Sequence, residues 1–182
     1  MWHGFCADVT FCAALLRIDE MLVALVKLRG CAECGGRLDR ADYPRKPRGA
    51  EIAAFGESWT RRFSLCCARD GCRSRATPPS VRFFGRRIYL GVVVLVTPMV
   101  LLTSTVPRRT IRRWLRWWQT EFPETPFFRG ARGYLAGHLD RDALPKALID
   151  RWRGVAADRV TSALHFLSPL TTGSVIGLDR VV

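Results

Sequence analysis

Two cysteine clusters limit what this chain can fold into more than any other feature. The first is Cys31-Ala32-Glu33-Cys34, followed by Gly35 and Gly36. The second runs Leu65-Cys66-Cys67-Ala68-Arg69-Asp70-Gly71-Cys72. In the first, two thiols stand at the ends of a tight turn, and the glycines leave backbone amides free to point at sulfur. Such a pair supplies half of a tetrahedral thiolate site, so the other half must come from elsewhere in the chain. The second cluster offers Cys72, with Gly71 as its turn residue, together with Cys67 or Cys66.

Strand alternation favours Cys67. Successive side chains of a strand point to opposite faces. With Cys67 inward, Phe63 and Leu65 share its side and pack beneath the site. With Cys66 inward, the polar Ser64 takes that place. The expected ligands are therefore Cys31, Cys34, Cys67 and Cys72, with Cys66 as the alternative to Cys67, holding a structural Zn2+. A redox C-x-x-C pair is the rival reading. It calls for a motif that opens a helix in a βαβ setting, and "CAECGGRLDRADYPRKP" has no helical pattern. No HxE or HExxH motif accompanies the cysteines, so no catalytic metal is expected.

The cysteine count bears on the compartment. Seven is odd, which fits poorly with a complete set of disulfides. The N-terminus "MWHGFCADVTFCAALLRIDE" lacks Lys or Arg in its first residues, and Asp8, Asp19 and Glu20 bracket a short apolar run, unlike a secretory signal. A reducing, cytoplasmic location is expected. Cys6 and Cys12 read as ordinary buried thiols, with a His3/Cys6 metal pair as a weak alternative.

With 48% hydrophobic and 25% charged residues, the chain is globular in composition rather than disordered. Its formal net charge of +13 calls for a polyanionic partner, either nucleic acid or an acidic membrane face, and charge alone does not choose between them.

The remaining pattern gives an α+β fold: a small zinc ribbon of short antiparallel strands joined to a mainly α-helical, helix-turn-helix-like unit. Residues 1–30 carry an amphipathic helix. Leu15, Ile18, Leu22, Leu25 and Val26 recur at helical spacing and Gly30 suits its C-cap, which makes the helix a core element or a contact in a homodimer. Residues 31–87 form the ribbon. There "DYPRKPRGAE" is a basic loop broken by Pro44 and Pro47, "ATPPS" is a turn, and "TRRFSLCC" and "SVRFFGRRIYL" read as short strands. Residues 88–129 form the helical unit, and 130–182 a C-terminal segment with amphipathic helices in "DALPKALIDRW" and "ADRVTSALHFL" and a loop-like end, "SPLTTGSVIG".

The most apolar run, "IYLGVVVLVTPMVLLTST" over 88–105, lies between Arg86/Arg87 and Arg108/Arg109. Its apolar part is about 15 residues, against the roughly 20 that span a bilayer. A buried strand followed by a buried helix is the preferred reading, and membrane insertion is the alternative.

"VPRRTIRRWLRWWQTEF", residues 106–122, makes the clearest helix. Pro107 suits its first turn and Pro123 ends it. Ile111, Trp114, Leu115, Trp118 and Phe122 fall on one face. Arg108, Arg109, Arg112, Arg113 and Arg116 fall mostly on the other, with no acid between Val106 and Thr120 to pair with them. An arginine face directly after a turn suits double-stranded DNA: the guanidinium groups reach phosphates and base edges, and Thr110 adds a phosphate contact. A membrane surface is the next candidate, since tryptophans suit an interface.

Taken in order, the parts resemble a known arrangement: a CxxCG turn, a basic loop, an aromatic strand into a second cysteine turn, "TPPSVRFFGRR", an apolar helix and an arginine-rich helix. Over about residues 31–122 the chain resembles the zinc-ribbon plus helix-turn-helix region of bacterial insertion-sequence transposases. The resemblance implies a ribbon that helps grip DNA and a recognition helix beginning near Arg108. The catalytic half of such enzymes, three carboxylates on a ribonuclease-H-like fold, has no counterpart in this sequence. The expectation is a DNA-binding, non-catalytic relative: a truncated transposase or an accessory protein of a mobile element. A membrane-associated zinc protein and a zinc-stabilised interaction scaffold are the alternatives.

Overall fold

The computed structural model describes residues 4–5, 8–45, 56–84, 89–99, 106–131, 133–135 and 139–172. Of the sequence expectations, those on His3, Cys6, Pro47, Arg86, Arg87 and residues 100–105 lie outside these.

Helix α1 spans Val9–Arg29. Asp8 caps its start, its carboxylate accepting from the amides of Thr10 and Phe11 at 2.9 and 3.1 Å, which satisfies two otherwise orphaned donors. Gly30, at φ 75°, ends it. The inward face is Phe11, Cys12, Leu15, Asp19 and Val23, whereas Leu25, placed by its spacing on a core or homodimer-contact face, is exposed. This helix is apolar nearly all round, so periodicity alone cannot select its buried side. Asp19 selects it, through the polar contacts described below.

Five short strands follow among the described residues: β1 Leu38–Arg40, β2 Tyr43–Pro44, β3 Arg61–Arg62, β4 Leu65–Cys67 and β5 Arg75–Ala76. They form a three-stranded antiparallel sheet in the order β1-β4-β5 and a two-stranded pair β2-β3. The register sets Leu38 opposite Cys67 and Leu65 opposite Ala76. Along β4, Leu65 and Cys67 are buried and Cys66 is half-buried, facing the other way, as strand alternation requires.

The strand expected over "SVRFFGRRIYL" is replaced by something else. Among the described residues only Phe83 and Leu90 pair, as an isolated antiparallel bridge. Between them and β5, side chains take the backbone donors that a ladder would use. The Ser80 amide donates to Thr171 Oγ1, the Val81 amide to Asp19, and the amides of Arg82 and Phe83 to Ser80 Oγ. A segment whose amides are already bonded has no ladder to offer.

Helix α2 covers Gly91–Val96 and passes into a 3-10 turn at Thr97–Met99. All six residues of α2 are buried. Gly91 is held at close quarters: a Cβ there would lie 3.0 Å from the Val81 carbonyl oxygen. Helix α3 covers Arg108–Arg116 and continues as a π-helical turn, Trp117–Glu121, and a 3-10 turn, Phe122–Glu124. Pro123 has no N–H to return to the Gln119 carbonyl and its ring crowds that group, and the turn before it is widened, with the Phe122 amide bonded back to Trp117. Helices α4 Pro126–Ala131, α5 Lys146–Asp150 and α6 Ala156–Leu167 complete the described helices. Asp150 pairs with Lys146 within α5 and with Arg159 of α6, and the second pair joins the two helices.

The main apolar cluster draws on all six α-helices described, with Trp114, Trp118, Phe122 and Phe128 among its members. A second, smaller cluster consists of Val23, Cys31, Leu38, Phe63, Leu65 and Cys67. It joins the C-terminal half of α1 to the sheet and forms the floor under the cysteines.

Candidate metal centre and basic helix

Cys31 and Cys34 stand at the two ends of a turn closed by the Gly35 amide, which donates to the Cys31 carbonyl at 2.8 Å. Gly35 has φ 66°, a conformation that glycine adopts without penalty. The Cys31 amide returns to the Gly36 carbonyl at 2.9 Å. The second turn is built alike. Cys67 ends β4, Gly71 sits at φ 85°, and the Cys72 amide donates to the Arg69 carbonyl.

These turns bring the sulfur atoms of Cys31, Cys34, Cys67 and Cys72 within 4.8 Å of one another. Cys31 and Cys72 are 3.7 Å apart, and Cys34 and Cys67 are 3.5 Å apart. A zinc–thiolate tetrahedron has edges of about 3.8 Å, from a Zn–S bond near 2.3 Å. The donor set and its spacing fit such an ion. Cys66, the fifth thiol of the region, points its sulfur to the Arg73 carbonyl at 3.5 Å and lies outside the cluster.

Backbone donors surround the sulfurs. The Arg69 amide lies 3.4 Å from Cys67 Sγ. The Gly36 amide bonds Cys34, and together with the neighbouring sulfurs it lowers that thiol to about 7. At Cys67 the Arg69 amide pulls the same way, but burial and the three other sulfurs outweigh it and push the thiol up to about 12. Cys72 is also pushed up, its neighbours Cys34 and Cys31 and burial overcoming the Ser74 amide. Crowding at this spacing therefore sets the thiols against one another, with Cys34 eased towards the thiolate and Cys67 and Cys72 held away from it. A divalent cation resolves that conflict by stabilising the thiolates together. The Gly36 amide takes the role expected of the first turn's glycines, whereas the amides of Arg69 and Ser74 were not singled out from sequence. Their signal is positional, since each lies two residues beyond a cysteine of the cluster.

The arrangement does not favour redox exchange. The Cys31–Cys34 pair lies in a turn with no helix behind it, so it lacks the helix N-terminus that lowers a catalytic thiol.

On α3, Arg108, Arg109, Arg112, Arg113 and Arg116 are all exposed, and Thr110 is half-buried. The opposite face is consumed inside the chain. Ile111, Trp114 and Trp118 are buried, Trp114 meets Tyr89 edge-on at 5.0 Å, and the Trp118 indole donates to the Val94 carbonyl of α2 at 3.3 Å. Among the described residues, none of the five arginines forms an ion pair. Pro107 precedes the helix, no side chain caps it, and no acid occupies its first turn. The first amides therefore keep their partial positive charge beside Arg108 and Arg109.

No helix among the described residues is long and apolar enough to cross a membrane. No protein-family model, curated protein or solved structure matches the chain.

Proposed function

We propose that this chain binds double-stranded DNA through α3, on a scaffold stabilised by one structural zinc ion. Cys31, Cys34, Cys67 and Cys72 hold the metal, which supplies no chemistry beyond tying the two cysteine turns together. The observation that carries the reading is the division of α3. One face is spent on Ile111, Trp114 and Trp118 within the core, and the other presents exposed arginines with no acidic partner. A helix selected only for its own stability would place acids in its first turn and bases in its last. Here Arg108 and Arg109 occupy the first turn, against the helix dipole. A phosphate backbone answers both the arginines and the uncapped amides.

The position of α2 ahead of α3 supports a helix-turn-helix-like reader, and the three-stranded sheet with its cysteine turns supports a zinc ribbon. Both are parts expected of the DNA-binding region of insertion-sequence transposases, which the sequence resembles. On that reading the chain is a truncated transposase or a mobile-element accessory protein that does no phosphoryl transfer.

Fluorescence anisotropy with a labelled duplex over a salt series tests the proposal. Wild-type affinity falls steeply with salt through counterion release, and replacing Arg109, Arg112 and Arg116 by alanine lowers affinity and flattens the log–log slope by up to about 3. Unchanged affinity in the triple variant removes α3 from the interface.

A further inference from the structure

The outward side of α1 is apolar. Among the described residues, six large hydrophobic side chains are exposed, and four of them, Val9, Met21, Leu25 and Leu28, belong to this one helix. Leu28 is 84% exposed. Ala14, Met21 and Leu28 recur one heptad apart, as do Arg17 and Ala24, and all five are exposed. They form a seam opposite the face that carries Cys12, Leu15, Asp19 and Val23. The 21 residues of α1 make three heptads.

The geometry points to a second copy of this chain as the occupant, with α1 packed antiparallel on its counterpart. The flanking charges select that partner and that direction. Glu20 and Lys27 lie on the same flank of the seam, two turns apart, both exposed and without an ion pair among the described residues. In an antiparallel pair the two like-placed flanks face each other. Layering Met21 against Ala24 of the second copy brings Glu20 beside its Lys27, and the twofold axis repeats the pair in reverse. In a parallel pair Glu20 faces Leu25 instead and the charges stay unmatched. Arg17 lays its aliphatic stem along Leu28 of the second copy and keeps its head in water. The surface is therefore complementary to itself.

The test exchanges charges on the full-length, metal-loaded protein and reads mass by light scattering over a concentration series. Wild type is expected to approach twice the chain mass of 20.6 kDa. Glu20→Lys alone and Lys27→Glu alone each set like charges opposite and are expected to remain monomeric, with unchanged circular dichroism because both sites are exposed. An equimolar mixture of the two variants restores both ion pairs and is expected to form a heterodimer. A mixture that stays monomeric while wild type dimerises overturns the antiparallel pairing. A wild-type protein that stays at one chain mass overturns the proposal. So does binding to anionic vesicles that Leu28→Asp abolishes without any self-association, because the seam would then be a lipid contact.

Discussion

Asp19 and Arg82 form a buried salt bridge, carboxylate Oδ2 to guanidinium Nε at 2.8 Å, with the two side chains 1% and 0% exposed. It fastens the middle of α1 to the segment that runs into α2. Asp19 also accepts from the Ser80 hydroxyl at 2.6 Å and the Val81 amide at 2.7 Å. Arg82 donates to the carbonyls of Ser58 and Arg61 and lies over the Phe63 ring at 4.6 Å. Burial lowers the Arg82 pKa from its ordinary value, and the charge of Asp19 works against that. Removing one partner strands the other in a medium that cannot solvate it. Asp19→Ala is expected to cost about 3–5 kcal/mol in urea unfolding. The double variant Asp19→Leu/Arg82→Met should lose clearly less, because no charge is left alone. Equal losses in both would show that packing, not the uncompensated charge, dominates.

The metal site gives an asymmetric prediction across five thiols. Protein purified without chelators should carry about one zinc per chain by elemental analysis. Cys31→Ser, Cys34→Ser, Cys67→Ser and Cys72→Ser should each lose it, whereas Cys66→Ser should keep it, because the Cys66 sulfur faces the Arg73 carbonyl. Acidification should release the metal, since each ligand must be a thiolate to bind. The sign is set at Cys67, which its surroundings push up to about 12: protons compete most strongly there, and a falling pH favours them. Zinc retained in Cys67→Ser and lost in Cys66→Ser would reverse the ligand assignment.

The two faces of α3 should respond oppositely. Trp118 is fully buried and bonded to Val94, so Trp118→Ala should destabilise by about 3–5 kcal/mol. Arg109→Glu reverses a charge at the N-terminal end, where the helix dipole favours an acid. It should raise stability by about 0.3–1 kcal/mol while weakening duplex binding. A variant that loses both stability and binding would mean that Arg109 has a structural task inside the chain.

Much of this was legible from sequence because it depends on local pattern. The cysteine turns carry their own glycines, β4 alternates as strands must, and the tryptophan and arginine faces of α3 separate at helical spacing. What was not legible depends on contacts between distant segments. Asp19 read only as one of the acids that bracket a short apolar run, yet it is buried and sets which side of α1 faces inward. "SPLTTGSVIG" read as a loop, yet Thr171 is buried, accepts from the Ser80 amide and offers its carbonyl to Arg62 at 3.2 Å. Local propensity saw β-branched and aromatic residues in "SVRFF" and could not see that Asp19 and Thr171 would claim their amides. The helix α4 was missed because its six residues are too few to show a period.

The adjacent glycines of the first cysteine turn should fail for different reasons when replaced. Gly36 lies against the cluster: a Cβ there would meet Cys67 Sγ at 3.1 Å and Cys34 Sγ at 3.3 Å. Both sulfurs belong to the four-cysteine cluster, lie 3.5 Å from each other and have little room to retreat. Gly36→Ala is therefore expected to weaken zinc retention in a chelator competition, and to do so through the geometry of two ligands at once. Gly35 has open space where a Cβ would go, but its φ is 66°, and a left-handed conformation costs a non-glycine residue roughly 1–2 kcal/mol. Gly35→Ala should lower unfolding stability by about that amount and leave the order of chelator resistance with Gly35→Ala above Gly36→Ala. The opposite order would mean that the backbone conformation of the turn, rather than clearance around the sulfurs, governs how tightly the metal is held.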